Sequence, residues 1–168
     1  MENFAPIFTS ILSQNSPDAI ALVEGNEAHP NLGGWVCFYS TPLTGILICG
    51  EIFGLPDMDK PEQSGFYGMH IHENGDCTMP FSETGNHYNP TNSPHPFHAG
   101  DLPPLLGNHG YAWFAFYDHR LTIPDVLNRS LIVHLNRDDF TTQPSGDSGE
   151  KIGCGVIQKY NEILMSNV

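Results

Sequence analysis

Positive charge is scarce in this sequence. Its 168 residues include six Lys and Arg against 19 Asp and Glu, which gives a formal net charge of −13 at pH 7. Such an acidic surface repels phosphate groups, so the composition argues against binding to nucleic acid or to an anionic membrane surface. Long hydrophobic runs are also missing, since none reaches the roughly 20 residues of a membrane-spanning helix.

The sequence also lacks a C-x-x-C motif and a segment that resembles a secretory signal peptide. No C-x-x-C pair occurs among the four cysteines, which argues against zinc-finger and thioredoxin-like sites; they are Cys37, Cys49, Cys77 and Cys154. The chain starts Met1-Glu2-Asn3, without the positively charged and apolar segments of a secretory signal. We therefore expect a cytoplasmic protein if this N-terminus is native, and a periplasmic or extracellular one if a leader has been removed.

Histidine, by contrast, is abundant. The nine histidines outnumber the six Lys and Arg. Imidazole is a common ligand of transition metals. An acidic chain with few cations and many histidines therefore suggests metal ions as partners before anything else.

Short β-prone runs separated by turns dominate the chain after residue 18. We predict strands over residues 19–24, 35–39, 46–52, 66–72, 111–117, 131–135 and 152–158. Residues 40–45 contain Pro42 and Gly45 and are predicted to close a hairpin between the second and third strands. The pattern favours an all-β sandwich or barrel, folded as one domain over residues 1–168.

Two segments differ from the strand pattern. Apolar residues at positions 4, 7, 8, 11 and 12 predict a short amphipathic helix within an N-terminal extension over residues 1–17. We expect this helix to cap one end of the fold, and a membrane or partner helix is the alternative. Residues 73–109 show no sustained periodicity, and an irregular stretch of that length inside a compact domain tends to be functional.

Most of the histidines fall into groups with ligand-like spacing. His70 and His72 lie two residues apart on a predicted strand, so both imidazoles project from the same face. His134 lies on an apolar predicted strand, where a histidine considered alone is more often structural. Within the long loop, three imidazoles and one carboxylate could complete a tetrahedral zinc set; they belong to His87, His95, His98 and Asp101.

Five segments together resemble the copper/zinc superoxide dismutases. They are residues 65–73 (GFYGMHIHE), 85–90 (GNHYNP), 98–102 (HAGDL), 131–134 (LIVH) and 153–157 (GCGVI). The resemblance spans about residues 19–158, and the position of Cys77, five residues after His72, is similar to that in the bacterial branch. It implies a Greek-key β-sandwich or barrel of about eight antiparallel strands. The same resemblance implies a metal-binding loop over residues 73–110 and an electrostatic loop over residues 136–151.

The resemblance also implies two metal sites that share one histidine. The implied copper ligands are His70, His72, His87 and His134. The implied zinc ligands are His87, His95, His98 and Asp101. In the implied reaction, copper cycles between Cu(II) and Cu(I) and converts superoxide to O₂ and hydrogen peroxide, while the bridging His87 opens and takes up a proton. Zinc is not redox active and holds the loop.

Further residues receive roles from the same resemblance. Asp138 would connect ligands of the two metals and thereby fix their ring orientation. Cys77 and Cys154 would form a disulfide that tethers the long loop to the last strand.

Two features depart from the family pattern. Lys151 stands where the family usually has an arginine, three residues before Cys154. Lysine keeps the charge that guides an anion but lacks the planar guanidinium fork, so we expect activity at a lower rate. Arg137 is either a second source of local positive field or an ordinary solvated side chain. The spacing of three between His95 and His98 is shorter than in many members.

The remaining histidines and cysteines have plainer interpretations. His29, His109 and His119 match no ligand position and are expected to be exposed loop residues. Cys37 and Cys49 lie on neighbouring predicted strands. We expect two free thiols there, with a cross-strand disulfide as the alternative.

Two other functions are compatible with part of the pattern. A non-catalytic copper- and zinc-binding protein of the same fold is the alternative to an enzyme. Loss of a copper ligand would favour that alternative, but no copper ligand is missing. Lys151 is the only feature that supports it. A zinc hydrolase would need an open zinc position, whereas the predicted zinc set is closed at four ligands. Oligomeric state varies in the family, and a homodimer is one option.

Overall fold

Antiparallel strands make up most of the fold. The computed structural model describes residues 3–56 and 65–166. The strands in chain order are β1 Ala19–Gly25, β2 Gly33–Ser40, β3 Ile46–Phe53, β4 Phe66–Tyr67, β5 Met69–His72, β6 Leu105–Leu106, β7 Tyr111–Asp118, β8 Ser130–His134 and β9 Lys151–Lys159. Seven of them form one curled sheet in the order β5-β8-β9-β1-β2-β3-β7, and β4 pairs with β6. The prediction of an all-β fold is confirmed.

Within residues 3–56 and 65–166, three α-helices and one short 3-10 helix, Ser82–Thr84, accompany the strands. The α-helices are α1 Ala5–Gln14, α2 Ile123–Val126 and α3 Tyr160–Ser166. No helix in the described part of the chain is both long and apolar enough to cross a membrane.

Alternation along the strands builds the core. Ala19, Ala21 and Val23 of β1 are buried on the inner face, whereas Leu22 between them is half exposed. The neighbouring β2 and β3 contribute Phe38 and Ile48 to the same core. This period of two is the pattern from which the strands were predicted.

Helix α1 explains why β2 and β3 are buried on both faces. Ile11 of α1 packs in a second apolar cluster with Cys37, Tyr39, Leu47 and Cys49 on the outer face of the β2–β3 hairpin. The predicted N-terminal helix is therefore present. It covers this outer face of the sheet.

Cys37 and Cys49 lie under that helix as directly opposed cross-strand partners. Both are buried free thiols, as expected from the sequence. Burial, followed by the neighbouring Cys49, raises the pKa of Cys37 to about 11.

The strand predicted over residues 66–72 is two strands. The chain leaves β4 at Gly68, whose amide donates to the Asn136 carbonyl (2.7 Å) and whose carbonyl accepts from the His134 amide (2.8 Å). A Cβ at Gly68 would lie 2.9 Å from the Ser148 hydroxyl oxygen. These contacts come from distant parts of the chain, so local periodicity could not indicate the break.

Candidate metal centre

Three histidines of the centre come from the adjacent strands β5 and β8. Met69 and Ile71 of β5 point into the core, so His70 and His72 project from the opposite face. His134 ends β8, and a register shift after Val133 precedes it. Pairing of β5 with β8 therefore brings residues about sixty positions apart onto one surface.

The irregular loop docks against β5 through backbone pairings. His87 forms an isolated bridge with His72, and Asp101 forms one with His70. Between them, the Ile71 amide donates to the Gly100 carbonyl (2.9 Å). A Cβ at Gly100 would lie 2.2 Å from the Ile71 carbonyl oxygen, so this close approach requires glycine.

The loop and the strands together create two groups of four metal-binding side chains. One group contains His70, His72, His87 and His134, and the other contains His87, His95, His98 and Asp101. Within each group the ligand atoms all lie within 4.8 Å of one another, and all these residues are buried. The structure thus brings together every residue predicted as a metal ligand, and both groups share His87.

Four buried ring nitrogens in these groups make no hydrogen bond to the described part of the chain. Among the described residues, no hydrogen bond reaches Nδ1 of His70, His95 or His98, or Nε2 of His87. His72 and His134 direct their Nε2 atoms towards each other, 3.4 Å apart. Buried polar atoms are almost always paired in native proteins, so these orphaned nitrogens are what metal coordination would satisfy.

The opposite ring nitrogens of His72 and His134 have fixed partners. His72 donates from Nδ1 to the Gly85 carbonyl (2.9 Å), and His134 donates from Nδ1 to the Gly149 carbonyl (3.2 Å). Because a carbonyl only accepts, each ring carries its proton on Nδ1 when neutral. The Nε2 lone pair then faces the centre, where a metal ion can use it.

Asp138 connects the two groups. Its Oδ2 accepts from His70 Nε2 (2.8 Å), and its Oδ1 accepts from His95 Nε2 (2.9 Å). The carboxylate is buried, and it also accepts from the Phe140 amide (2.7 Å). The structure places this side chain where the resemblance implied it, between a ligand of each predicted site.

The second group is organised around a carboxylate. Asp101 Oδ1 lies 2.7 Å from His87 Nδ1, and Oδ2 lies 3.1 Å from His95 Nδ1 and 3.3 Å from His98 Nδ1. Burial alone would raise the pKa of Asp101. The hydrogen bond with His87 and the charges of the three histidines outweigh burial and lower that pKa. The carboxylate is therefore ionised at neutral pH, as a metal ligand must be.

Burial keeps three histidines of the first group, His70, His72 and His134, uncharged. It is the main cause that lowers the pKa of His72 to about 2, with His134 as the next cause. Burial also lowers the pKa of His134 well below its ordinary value, and it lowers the pKa of His70. At neutral pH these imidazoles are neutral ligands rather than cations.

An open pocket of about 420 Å³ leads to the first group. His72, His87 and His134 form its floor, and Lys151 and Glu73 lie in its wall. The ammonium of Lys151 donates to the Thr84 hydroxyl oxygen (2.7 Å) and lies 3.4 Å from the Gly85 carbonyl oxygen. Burial lowers the pKa of Lys151. Arg137 is exposed and does not line this pocket.

Two residues that the sequence did not single out support these side chains. Thr84 is fully buried and donates to the Phe81 carbonyl (2.9 Å) while accepting from Lys151. Gln143 accepts from the His95 amide (3.0 Å) and donates to the His95 carbonyl (2.7 Å). Thr and Gln are common surface residues, and neither position carries a spacing signal.

The other predicted residues lie outside the two groups. His109 and His119 are exposed, as expected. His29 lies in a loop as predicted, but it is half-buried and its Nδ1 lies 2.9 Å from the Asn26 side-chain oxygen, so the prediction that it is exposed was wrong.

The disulfide between Cys77 and Cys154 is present. It ties the start of the long loop to β9. Both cysteines pack with Phe81 and Ile132 behind the metal-binding groups. The pairing implied by the resemblance is confirmed.

Comparison with known proteins identifies the family. The sequence model described as copper/zinc superoxide dismutase (SODC) matches residues 33–157. A Cu-Zn superoxide dismutase of Deinococcus radiodurans is 34% identical over 150 residues, which cover 76% of this chain and 78% of that protein.

Other relatives carry different names. The copper chaperone for superoxide dismutase of Homo sapiens is 32% identical over 159 residues, which cover 87% of this chain and 54% of the chaperone. Among solved structures, a double mutant of a superoxide dismutase-like protein from Bacillus subtilis aligns with a TM-score of 0.70 and 29% identity, covering 81% of this chain and 94% of that one. From its matched residues and its fold, this chain belongs to the copper/zinc superoxide dismutase family.

Proposed function

We propose that this protein is a superoxide dismutase with copper in the group of four histidines and zinc in the group containing Asp101. The observation that carries the proposal is the pair of donor groups sharing His87, with buried ring nitrogens that lack hydrogen-bond partners. Four imidazoles suit copper, and three imidazoles with one carboxylate form a closed set that suits zinc. The fit therefore rests on the donor atoms themselves.

Copper held by His70, His72, His87 and His134 would supply one-electron redox chemistry, by which two superoxide ions and two protons would be converted to one O₂ and one hydrogen peroxide. The chain's contribution is to hold four imidazoles together, with those of His72, His87 and His134 at the floor of an open pocket. Asp138 and the Gly85 and Gly149 carbonyls fix the rings, so their lone pairs are oriented before a ligand arrives.

His87 is the residue that can hold a proton between the two half-reactions. Its Nδ1 contacts Asp101, which anchors the ring from the zinc side. Its Nε2 faces the first group and has no other partner in the described chain. Nε2 can therefore carry a proton in one state and be deprotonated in the other, within reach of the pocket that admits superoxide.

Lys151 is the cation of the pocket wall. It lies with the metal-binding histidines around the same opening, so its charge attracts and orients an anion there. Zinc held by His87, His95, His98 and Asp101 would supply no redox chemistry and would stabilise the loop that carries these ligands.

The proposal is tested by loading the protein with copper and zinc and measuring superoxide consumption. The loaded protein should consume superoxide far faster than the metal-free protein. His134→Ala removes one copper ligand and leaves the zinc group complete, so its zinc content should be normal and its activity should fall to background. Equal activity in the two loaded proteins would contradict the proposal.

A non-catalytic metal-binding protein is the second candidate. The similarity to a copper chaperone and the lysine at position 151 favour it. In that case the protein would bind copper and zinc with the expected stoichiometry, and superoxide would disappear at the metal-free rate.

A further inference from the structure

A guanidinium outside both metal-binding groups holds the backbone of the second group. Arg120 donates from Nη1 to the His98 carbonyl (3.0 Å) and from Nη2 to the Asp101 carbonyl (2.7 Å). No sequence pattern singled out this residue. The chain has only six Lys and Arg, so Arg120 does not belong to a surface crowded with cations.

Asp118 fixes that guanidinium from the other side. Its Oδ1 accepts from Arg120 Nε (3.1 Å), and its Oδ2 accepts from Nη2 (2.6 Å). The Asp118 side chain is 5% exposed, and the Arg120 side chain is 33% exposed. Asp118 ends β7, so the ion pair ties the metal-binding loop to a strand of the large sheet.

The two carbonyls that Arg120 binds are at the ends of one turn. The Asp101 amide donates to the His98 carbonyl (3.2 Å), and the His98 amide donates to Asp101 Oδ2 (3.0 Å). Both residues of this turn direct ligand atoms into the second group. Holding the two carbonyls therefore restricts the position of two of the four ligands.

We propose that Arg120, held by Asp118, is a positioning residue for the zinc group. It keeps His98 and Asp101 in ligating geometry by binding their backbone, and it does not touch the metal. The planar fork is essential, because one guanidinium reaches two carbonyls and a carboxylate at once, whereas a lysine ammonium is a single point of contact. The inference rests on the proposed function only in taking zinc as the ion of this group.

Arg129 offers a matched control. It also binds backbone carbonyls through a guanidinium, donating from Nε to the Asp125 carbonyl (2.6 Å) and from Nη1 to the Glu73 carbonyl (2.8 Å). Neither carbonyl belongs to a residue of the zinc group. Arg129→Lys therefore repeats the chemical change of Arg120→Lys at a guanidinium for which no hydrogen bond to residues 98–101 is found.

The experiment measures zinc release from the full-length zinc-loaded protein to an excess of a coloured chelator, for wild type, Arg120→Lys and Arg129→Lys. Loss of an outer partner of a metal site typically costs about tenfold to a hundredfold in metal affinity. We expect Arg120→Lys to release zinc at least about tenfold faster than wild type. The rate for Arg129→Lys should stay close to that of wild type. A release rate for Arg120→Lys no greater than that for Arg129→Lys would overturn the proposal.

A second readout separates positioning from general destabilisation. With Co²⁺ bound in place of zinc, the visible absorption bands report ligand geometry, and they should change in Arg120→Lys but not in Arg129→Lys. If Arg120→Lys does not fold, Asp118→Asn loosens the same guanidinium while keeping it in the chain, and it should also release zinc faster than Arg129→Lys. Unchanged absorption bands in Arg120→Lys, or zinc release from Asp118→Asn no faster than from Arg129→Lys, would contradict the inference.

None of these measurements uses superoxide. A protein that binds zinc but lacks dismutase activity would therefore refute the proposed function and leave this inference standing.

Discussion

Three histidines of the first group, His70, His72 and His134, divide their two ring nitrogens between a protein acceptor and the centre. The acceptors are the Gly85 and Gly149 carbonyls and the Asp138 carboxylate. The sequence indicated His70 and His72 as a pair, because residues two apart on a strand share a face. It could not indicate which nitrogen faces the centre, because the acceptors come from loops that fold back from elsewhere in the chain.

Lys151 stands where the resemblance to the family implies an arginine. Lys151→Met removes the charge from the pocket wall and should lower kcat/KM for superoxide about tenfold, the lower end of what charge steering contributes. Lys151→Arg should raise kcat/KM above wild type, because the fork orients the anion as well as attracting it. Pulse radiolysis of the copper- and zinc-loaded variants measures both effects.

Copper content is the control for the Lys151 variants, since both should bind as much copper as wild type. An unchanged rate in Lys151→Met would show that the anion is guided from elsewhere in the pocket. A slower rate in Lys151→Arg would show that losing the hydrogen bond from the lysine ammonium to Thr84 lowers the rate more than the guanidinium fork raises it.

Buried neutral histidines make the metal-free protein sensitive to acid. The pKa of His72 is lowered to about 2 in the folded state, so below its ordinary value the unfolded state binds more protons. The free energy of unfolding is therefore highest above pH 6.5. It decreases as the pH falls from 6.5 towards 2, because protons bind His72 in the unfolded state but not in the folded state. Between pH 7 and pH 5, His72 alone should account for a loss of about 2 kcal/mol in the free energy of unfolding.

Urea denaturation of the metal-free, disulfide-intact protein at pH 7 and pH 5 tests this. His72→Gln should reduce the pH dependence, and His119→Gln, which changes an exposed histidine, should not. A His72→Gln protein with the full wild-type pH dependence would contradict the assignment.

At the scale of elements, the strands with clear alternation were predictable and the connections were not. The hairpin of β2 and β3 followed from two β-prone runs joined by a loop with Pro42 and Gly45. The break at Gly68, the two-residue strand Leu105–Leu106 and helices α2 and α3 were missed. These elements depend on contacts with distant segments or are too short to show a period.

The long loop illustrates the same limit. Its length and composition marked it as functional, but its conformation comes from pairings such as His72 with His87 and His70 with Asp101. Those pairings join a strand to residues 15 to 31 positions later, counted from the sequence. The resemblance to a family supplied the ligand set that spacing left open.

The disulfide is the covalent restraint on this loop. It joins residues separated by 77 positions, and closing a loop of that length should stabilise the folded state by about 4 kcal/mol in the chain-entropy model. A reductant should therefore lower the free energy of unfolding of the metal-free protein by about that amount. Chemical denaturation with and without reductant measures the difference.

The double variant Cys77→Ala with Cys154→Ala is the control for reduction. Cys37 and Cys49 remain as free thiols in it, so reductant should have no effect on its stability. A reductant effect of similar size in the double variant would show that the restraint lies elsewhere.

At the scale of the whole molecule, the net charge of −13 opposes an anionic substrate. Attraction must therefore be local to the pocket where Lys151 lies. Because exposed charges are screened over a Debye length of about 10 Å at 0.1 M salt, that attraction should weaken as salt rises.

The contribution of Lys151 to the salt dependence is measured by the ratio of two rates. The rate of wild type divided by the rate of Lys151→Met should fall as ionic strength increases from about 10 to 150 mM, since screening removes the advantage of the lysine. Stopped-flow or pulse-radiolysis rates across this range give the ratio, and a constant ratio would mean that Lys151 does not act through its charge.

The central claim is that the centre turns over, rather than merely binding copper and zinc. The most direct measurement follows superoxide decay by pulse radiolysis with the loaded protein present at a small fraction of the superoxide concentration. We predict decay that is first order in superoxide and proportional to the protein concentration, with many superoxide molecules consumed per copper ion and O₂ and hydrogen peroxide formed in equal amounts. Consumption that stops at one superoxide per copper ion would contradict the claim and leave a metal-binding protein of the same fold.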